Sequence, residues 1–81
     1  MTEARVTLVG KPGCHLCDVA AEVVARVCDQ TGTDWQTVSI FDDLTLMDKY
    51  AEFIPVILVD GQPVAHYHVD AGLLTTLLTA Q

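Results

Sequence analysis

Cys14 and Cys17 stand two residues apart, where the apolar run ending at Val9 gives way to the turn Gly10-Lys11-Pro12-Gly13 and then to a helical pattern. Two thiols at this spacing can exchange with disulfides or ligate a metal. A helix beginning near Cys14 points its free backbone N–H groups and the positive end of its dipole at the first sulfur, which favours thiolate over thiol. Cys14 is then the exposed nucleophile, and Cys17, one turn later, closes the disulfide. The spacing meets the need for Cβ atoms within about 4 Å of one another. Lys11 adds positive potential near Cys14. His15 stands in the same turn and tunes the thiol rather than switching it.

A metal site needs about four ligands. Beyond the pair, only Cys28, His15, His66 and His68 are at hand, and Cys28 lies three turns below Cys17 on the same helix, too far to share one ion. No metal site within a single chain is therefore expected. A metal or iron–sulfur cluster carrier, with the cluster bridged between two chains, is the competing reading, and a redox-sensing interaction module without turnover is a third. Cys28 falls in the middle of an apolar helix face and reads as a core residue. His66 and His68 read as surface or internally satisfied histidines, Trp35 and Tyr67 as packing residues, and Asp42, Asp43 and Asp48 as helix-start and surface charges.

The chain of 81 residues fits one small domain spanning residues 1–81, which buries only about 60 to 65% of the surface its unfolded form exposes. A hydrophobic share of 51% supplies a dense core with little aromatic content. A net charge of −7 argues against nucleic acid and anionic membranes as partners, because phosphate would be repelled. No stretch approaches the roughly 20 apolar residues of a membrane span, and the N-terminus does not read as a signal peptide. The expectation is a cytoplasmic monomer whose thiols stay reduced, so that a close pair is catalytic or metal-binding rather than a permanent crosslink.

The elements that position the pair follow from periodicity. Residues 4–9, Ala-Arg-Val-Thr-Leu-Val, read as a strand buried on both faces. From Cys14 to about Gln30 the period becomes 3.6. Ala20, Ala21, Val24, Val27 and Cys28 share a face with Cys17, Asp18, Glu22, Arg26 and Asp29 lie opposite, and Glu22 and Arg26 are spaced to pair. Gly32 is the expected helix stop. Trp35–Ile40 reads as a second strand, parallel to the first, and Asp42 or Asp43 caps a helix over Leu44 to about Tyr50. Asp60-Gly61 between Pro55–Val59 and Gln62–Tyr67 is a hairpin signal, and Pro63 places the last strand at a sheet edge. Asp70 precedes a closing helix with Leu73, Leu74, Leu77 and Leu78 on one face and Thr75 and Thr76 opposite.

This β-α-β-α-β-β-α order, with Lys11, the Cys14-x-x-Cys17 pair and Ile54-Pro55, resembles the small glutaredoxin-like proteins of the thioredoxin superfamily. The resemblance implies an α/β thioredoxin-like fold with a four-stranded mixed sheet and three helices, and electron transport as a thiol–disulfide oxidoreductase acting on protein or small-molecule disulfides. It also implies that Pro55 is cis and shapes a substrate groove in which Ile54 offers its backbone, with Lys11, His15, Leu16 and Asp70 around it. No tightly bound cofactor is implied; glutathione is the family's co-substrate, and glutathione or thioredoxin reductase would supply electrons. The chain departs from glutaredoxins at His15-Leu16 between the cysteines, at Tyr67-His68-Val69 where those proteins carry a Gly-Gly pair, and at Glu52 where they often carry a base. These departures weaken the case for glutathione, leaving Asp70 as a contact for its ammonium group.

Overall fold

β1 (Val6–Gly10) runs through the middle of the molecule and is buried on both faces, as its apolar, β-branched composition requires. The computed structural model describes residues 4–79. After β1 come α1 (His15–Thr31), β2 (Trp35–Ser39), a 3₁₀ turn (Ile40–Asp42), α2 (Leu44–Tyr50), β3 (Val56–Val59), β4 (Gln62–His66) and α3 (Ala71–Thr79). The strands form one sheet in the order β2-β1-β3-β4, with β1 and β2 parallel and the other pairs antiparallel. This is the mixed four-stranded sheet with three helices that the sequence led us to expect.

Alternation along β1 divides the core. Val6 and Leu8 pack with Ala20, Val24, Val27 and Cys28 of α1 and with Leu74 and Leu78 of α3, while Val9 joins Ile40 and Val56 beside α2 on the other face. β2 stops at Ser39, one residue earlier than its apolar pattern predicts, because Ile40 turns into the 3₁₀ segment and fills the smaller core. Asp43, in extended conformation, caps α2 by accepting the N–H groups of Thr45 and Leu46. Gly32 ends α1 in the left-handed region, as a stop glycine should.

The hairpin forms at Asp60-Gly61, where both residues have positive φ, 52° and 85°. Pro63 sits on β4 at the sheet edge, with a register irregularity opposite Ile57 and Leu58. Two local expectations are corrected. Glu22 and Arg26 are both exposed, but the ion pair present among the described residues joins Arg5 to Asp60 at 3.2 Å. In α3 the leucines do not share one environment: Leu74 and Leu78 are buried, whereas Leu73 is 49% exposed. Those four leucines span an arc of about 140° at 100° per residue, and packing against α1 selects the side of Leu74, Leu78 and Ala71.

Register fixes where the loops meet. Gly10 pairs with Ser39, Val9 with Val56 and Val56 with His66, so β1, β2 and β4 end, and β3 begins, along one row. The segments 11–14, 52–55 and 67–70 therefore converge on one rim of the sheet. Among the described residues no helix is long and apolar enough to cross a membrane.

Candidate active site

Gly13, at φ 75°, turns the chain so that Cys14 enters α1 as its N-cap with φ −95° and ψ 114°. An N-cap side chain accepts one of the helix's unpaired N–H groups, and here the acceptor is sulfur: Cys14 Sγ receives the Cys17 N–H at 3.2 Å. The Cys14 carbonyl accepts from Asp18 N–H at 3.1 Å and completes the first turn. Cys14 is half-buried, Cys17 is buried at 6% exposure, and both are free thiols.

The two sulfurs have different surroundings. Burial is the largest cause that pushes the Cys17 thiol up to about 11; its hydrogen bond to Cys14 adds to this, the Lys11 backbone amide opposes it, and the charges of Cys14 and Asp18 raise it further. Cys17 is thus held as a thiol at neutral pH. Lys11 bears on the pair through its amide next to Cys17, a contact its side-chain charge does not predict. Asp18 lies exposed in the first turn of α1.

Gly10 closes the site from below. A Cβ built there would lie 2.8 Å from Cys17 Sγ and 3.2 Å from Cys17 Cβ, closer than packed atoms tolerate. Beside this contact is a cleft of about 270 Å³ between β1, β2 and α1, which Cys17 lines together with Lys11, Thr37 and Ser39.

Along the rim, the Ile54–Pro55 peptide is cis, with Pro55 buried and Ile54 half-buried. The Pro55 carbonyl accepts from Tyr67 N–H at 2.8 Å. Among the described residues, the Ile54 N–H and carbonyl take part in no backbone hydrogen bond. Leu16 is 39% exposed and, with Val19 and Val23, meets Tyr67, His68 and Val69 around a crevice of about 50 Å³. His15 is exposed in the same turn. Asp70 directs Oδ1 to the Leu73 N–H at 2.9 Å and its carbonyl to the Leu74 N–H at 3.0 Å, so its carboxylate caps α3.

Cys28 belongs to the main core, and its thiol is pushed up by burial. Among the described residues, no three His, Cys, Asp or Glu side chains group so as to hold a metal ion. Sequence reasoning missed two participants. Gly10 carried a usable signal, since a glycine at a strand end can mark close backbone approach. Tyr67, read as a packing residue, is a tertiary contact to Glu52–Pro55 that no local pattern announces.

Comparison with known proteins agrees with this fold. The family described as glutaredoxin-like domain (DUF836) matches residues 5–79. An uncharacterized protein of Mycobacterium tuberculosis is 27% identical over 75 residues, covering 86% of this chain and 77% of that protein. The X-ray structure of a structural-genomics target from X. campestris superposes with a TM-score of 0.75 at 31% identity, covering 94% of this chain and 97% of that one. A glutaredoxin from Archaeoglobus fulgidus shares the fold, with a TM-score of 0.64 at 17% identity over 95% of this chain and 88% of its own. The fold, with two free cysteines close together at a helix start, supports a redox-related function. With the match running from Arg5 through Thr79, the chain belongs to the glutaredoxin-like domain family (DUF836).

Proposed function

We propose that the protein is a thiol–disulfide oxidoreductase in which Cys14 is the nucleophile and Cys17 the resolving thiol. The observation that carries this reading is the asymmetry of the pair: Cys14 caps the helix and accepts an N–H through its sulfur, while Cys17 lies buried one turn below with its thiol raised to about 11.

In the first step the Cys14 thiolate attacks one sulfur of a substrate disulfide, forming a mixed disulfide and releasing the other substrate sulfur as thiolate. Cys14 then no longer carries charge and no longer accepts the Cys17 hydrogen bond as a thiolate. Two of the causes that raise Cys17 disappear at the moment it must become a nucleophile, while the Lys11 amide remains. Cys17 gives up its proton and attacks Cys14, and the second substrate thiolate leaves and is protonated. Two electrons pass to the substrate, and the chain is left with a Cys14–Cys17 disulfide that an external thiol reductant must restore.

Pro55 and Leu16 wall the groove at Cys14, Ile54 presents an unpaired N–H and carbonyl to an extended substrate, and His15 and Lys11 line its approach. Asp70, occupied with capping α3, contributes charge at the far side. No resident cofactor is required, and the exchange belongs in a reducing compartment such as the cytosol. For cluster carriage, ligands beyond Cys14 and Cys17 would have to come from a second chain or a thiol ligand, since Cys28 is committed to the core.

Mixing the reduced protein with a disulfide tests the proposal in a single turnover, without any choice of reductase. Cys14→Ser should abolish reduction of insulin, and Cys17→Ser should accumulate a mixed disulfide through Cys14 that mass spectrometry detects. Undiminished reduction by Cys14→Ser overturns the assignment.

A further inference from the structure

Tyr67 follows β4 with φ 65°, a left-handed backbone that a side-chain-bearing residue keeps only where its surroundings impose it. What imposes it is the segment before β3. The Tyr67 N–H donates to the Pro55 carbonyl at 2.8 Å and, more weakly, to the Phe53 carbonyl at 3.4 Å, and its hydroxyl donates to the Glu52 carbonyl at 2.9 Å. Its ring stands edge-on to His66 at 4.8 Å between centroids and tilted against Phe53 at 6.4 Å. One residue thus holds the carbonyls of Glu52, Phe53 and Pro55, while the N–H and carbonyl of Ile54 between them have no hydrogen-bond partner among the described residues.

We propose that Tyr67 is a positioning residue that fixes the Glu52–Pro55 edge so that Ile54 can pair, through its backbone, with an extended polypeptide disulfide beside Cys14. This rests on the exchange reading given above. A free N–H and carbonyl on a loose loop must be ordered when substrate binds; held by Tyr67, they are ordered in the free protein, and the entropic cost falls on folding rather than on binding. The effect therefore belongs to substrate affinity, and only to substrates that have a backbone to pair. The strained φ is consistent with this role, because a tyrosine in that conformation aims its hydroxyl and its N–H at the same neighbouring strand connection.

The test uses the full chain with Tyr67→Phe, which removes the hydroxyl and keeps the ring, and Tyr67→Gly, which also removes the ring and relieves the positive φ. Single-turnover rates are followed against concentration for insulin and for hydroxyethyl disulfide, a neutral disulfide without peptide groups. Tyr67→Phe is expected to raise the half-saturating insulin concentration about tenfold, to change the saturating rate less than twofold, and to shift the half-saturating concentration of hydroxyethyl disulfide far less than that of insulin; Tyr67→Gly is expected to raise the insulin value further. Amide hydrogen exchange should quicken at residues 52–54 and stay constant through α1. Equal effects on both disulfides, or no effect on either, overturn the proposal while leaving the exchange reading standing. A parent protein inert toward both disulfides overturns the exchange reading and this proposal with it.

Discussion

Gly10 and Cys17 touch so closely that the last residue of β1 has no room for a side chain: a methyl on Gly10 would lie 2.8 Å from the Cys17 sulfur. Gly10 is not in the left-handed region, so close approach rather than backbone freedom demands glycine here. The contact seats the first turn of α1 directly on the strand end, buries the Cys17 thiol and thereby raises it. Strand, helix start and sulfur chemistry are one packing arrangement.

Gly10→Ala should therefore act on the pair rather than on the fold at large. Overpacking of this kind costs about 1 to 3 kcal/mol, read as a lowered urea midpoint with unchanged slope. Cys17→Ala removes the sulfur that the new methyl meets, so the double variant should regain at least about 1 kcal/mol over additivity in a double-mutant cycle. Additive losses would show that the clash is relieved elsewhere.

Alkylation should distinguish the thiols. With its thiol at about 11, Cys17 is ionised in roughly one molecule per thousand at pH 8, and both Cys17 and Cys28 are buried, whereas Cys14 is half-buried. Brief treatment of the native, reduced protein with iodoacetamide at pH 8 should add one label, on Cys14, and treatment in urea should add three. Comparable native labelling of Cys17 would contradict the asymmetry on which the proposed mechanism depends.

The same raised thiol makes a pH prediction with a definite sign. Cys17 moves from 9.0 to about 11 on folding, so between those values the native state binds a proton that the unfolded state has lost. The stabilisation this represents is complete below about pH 9 and disappears as pH climbs to about 11. Reduced wild-type protein should lose more stability than Cys17→Ser over that window in urea titrations. A parallel decline in the two proteins would show that Cys17 does not titrate late.

What could be read from residues alone was what depends on neighbours in the chain. The helix start near Cys14, the stop at Gly32, a cap at Asp42 or Asp43 and the Asp60-Gly61 hairpin all follow from local conformational preference, and the structure has them, with Asp43 taking the cap. The four-stranded mixed sheet needed the family resemblance, and its strand order was not read at all, because the composition of β1 shows two buried faces without saying which strands flank it. Gly10 against Cys17 left only the signal of a glycine at a strand end, and Tyr67 on Glu52–Pro55 was hidden, because it joins segments that meet only once the sheet register is set. The arc of leucines in α3 was ambiguous in the same way: four apolar positions leave the orientation open, and α1 decides it.

Glutathione should be a poor substrate, for reasons of shape and charge together. The Tyr67–Val69 segment lies across Leu16, Val19 and Val23 and leaves only about 50 Å³ between them, where a tripeptide would need open backbone. Asp70 is engaged with the Leu73 N–H, and the exposed Glu52 and the net charge of −7 oppose an anionic ligand. Oxidised glutathione should accordingly be reduced with at least about tenfold lower kcat/KM than insulin, a difference of about 1.4 kcal/mol in transition-state binding. Raising the salt concentration should narrow the gap by screening the charge, and Leu16→Ala should narrow it further by opening the crevice. Equal efficiency toward the two disulfides at low salt would mean that the Tyr67–Val69 segment does not restrict access to Cys14.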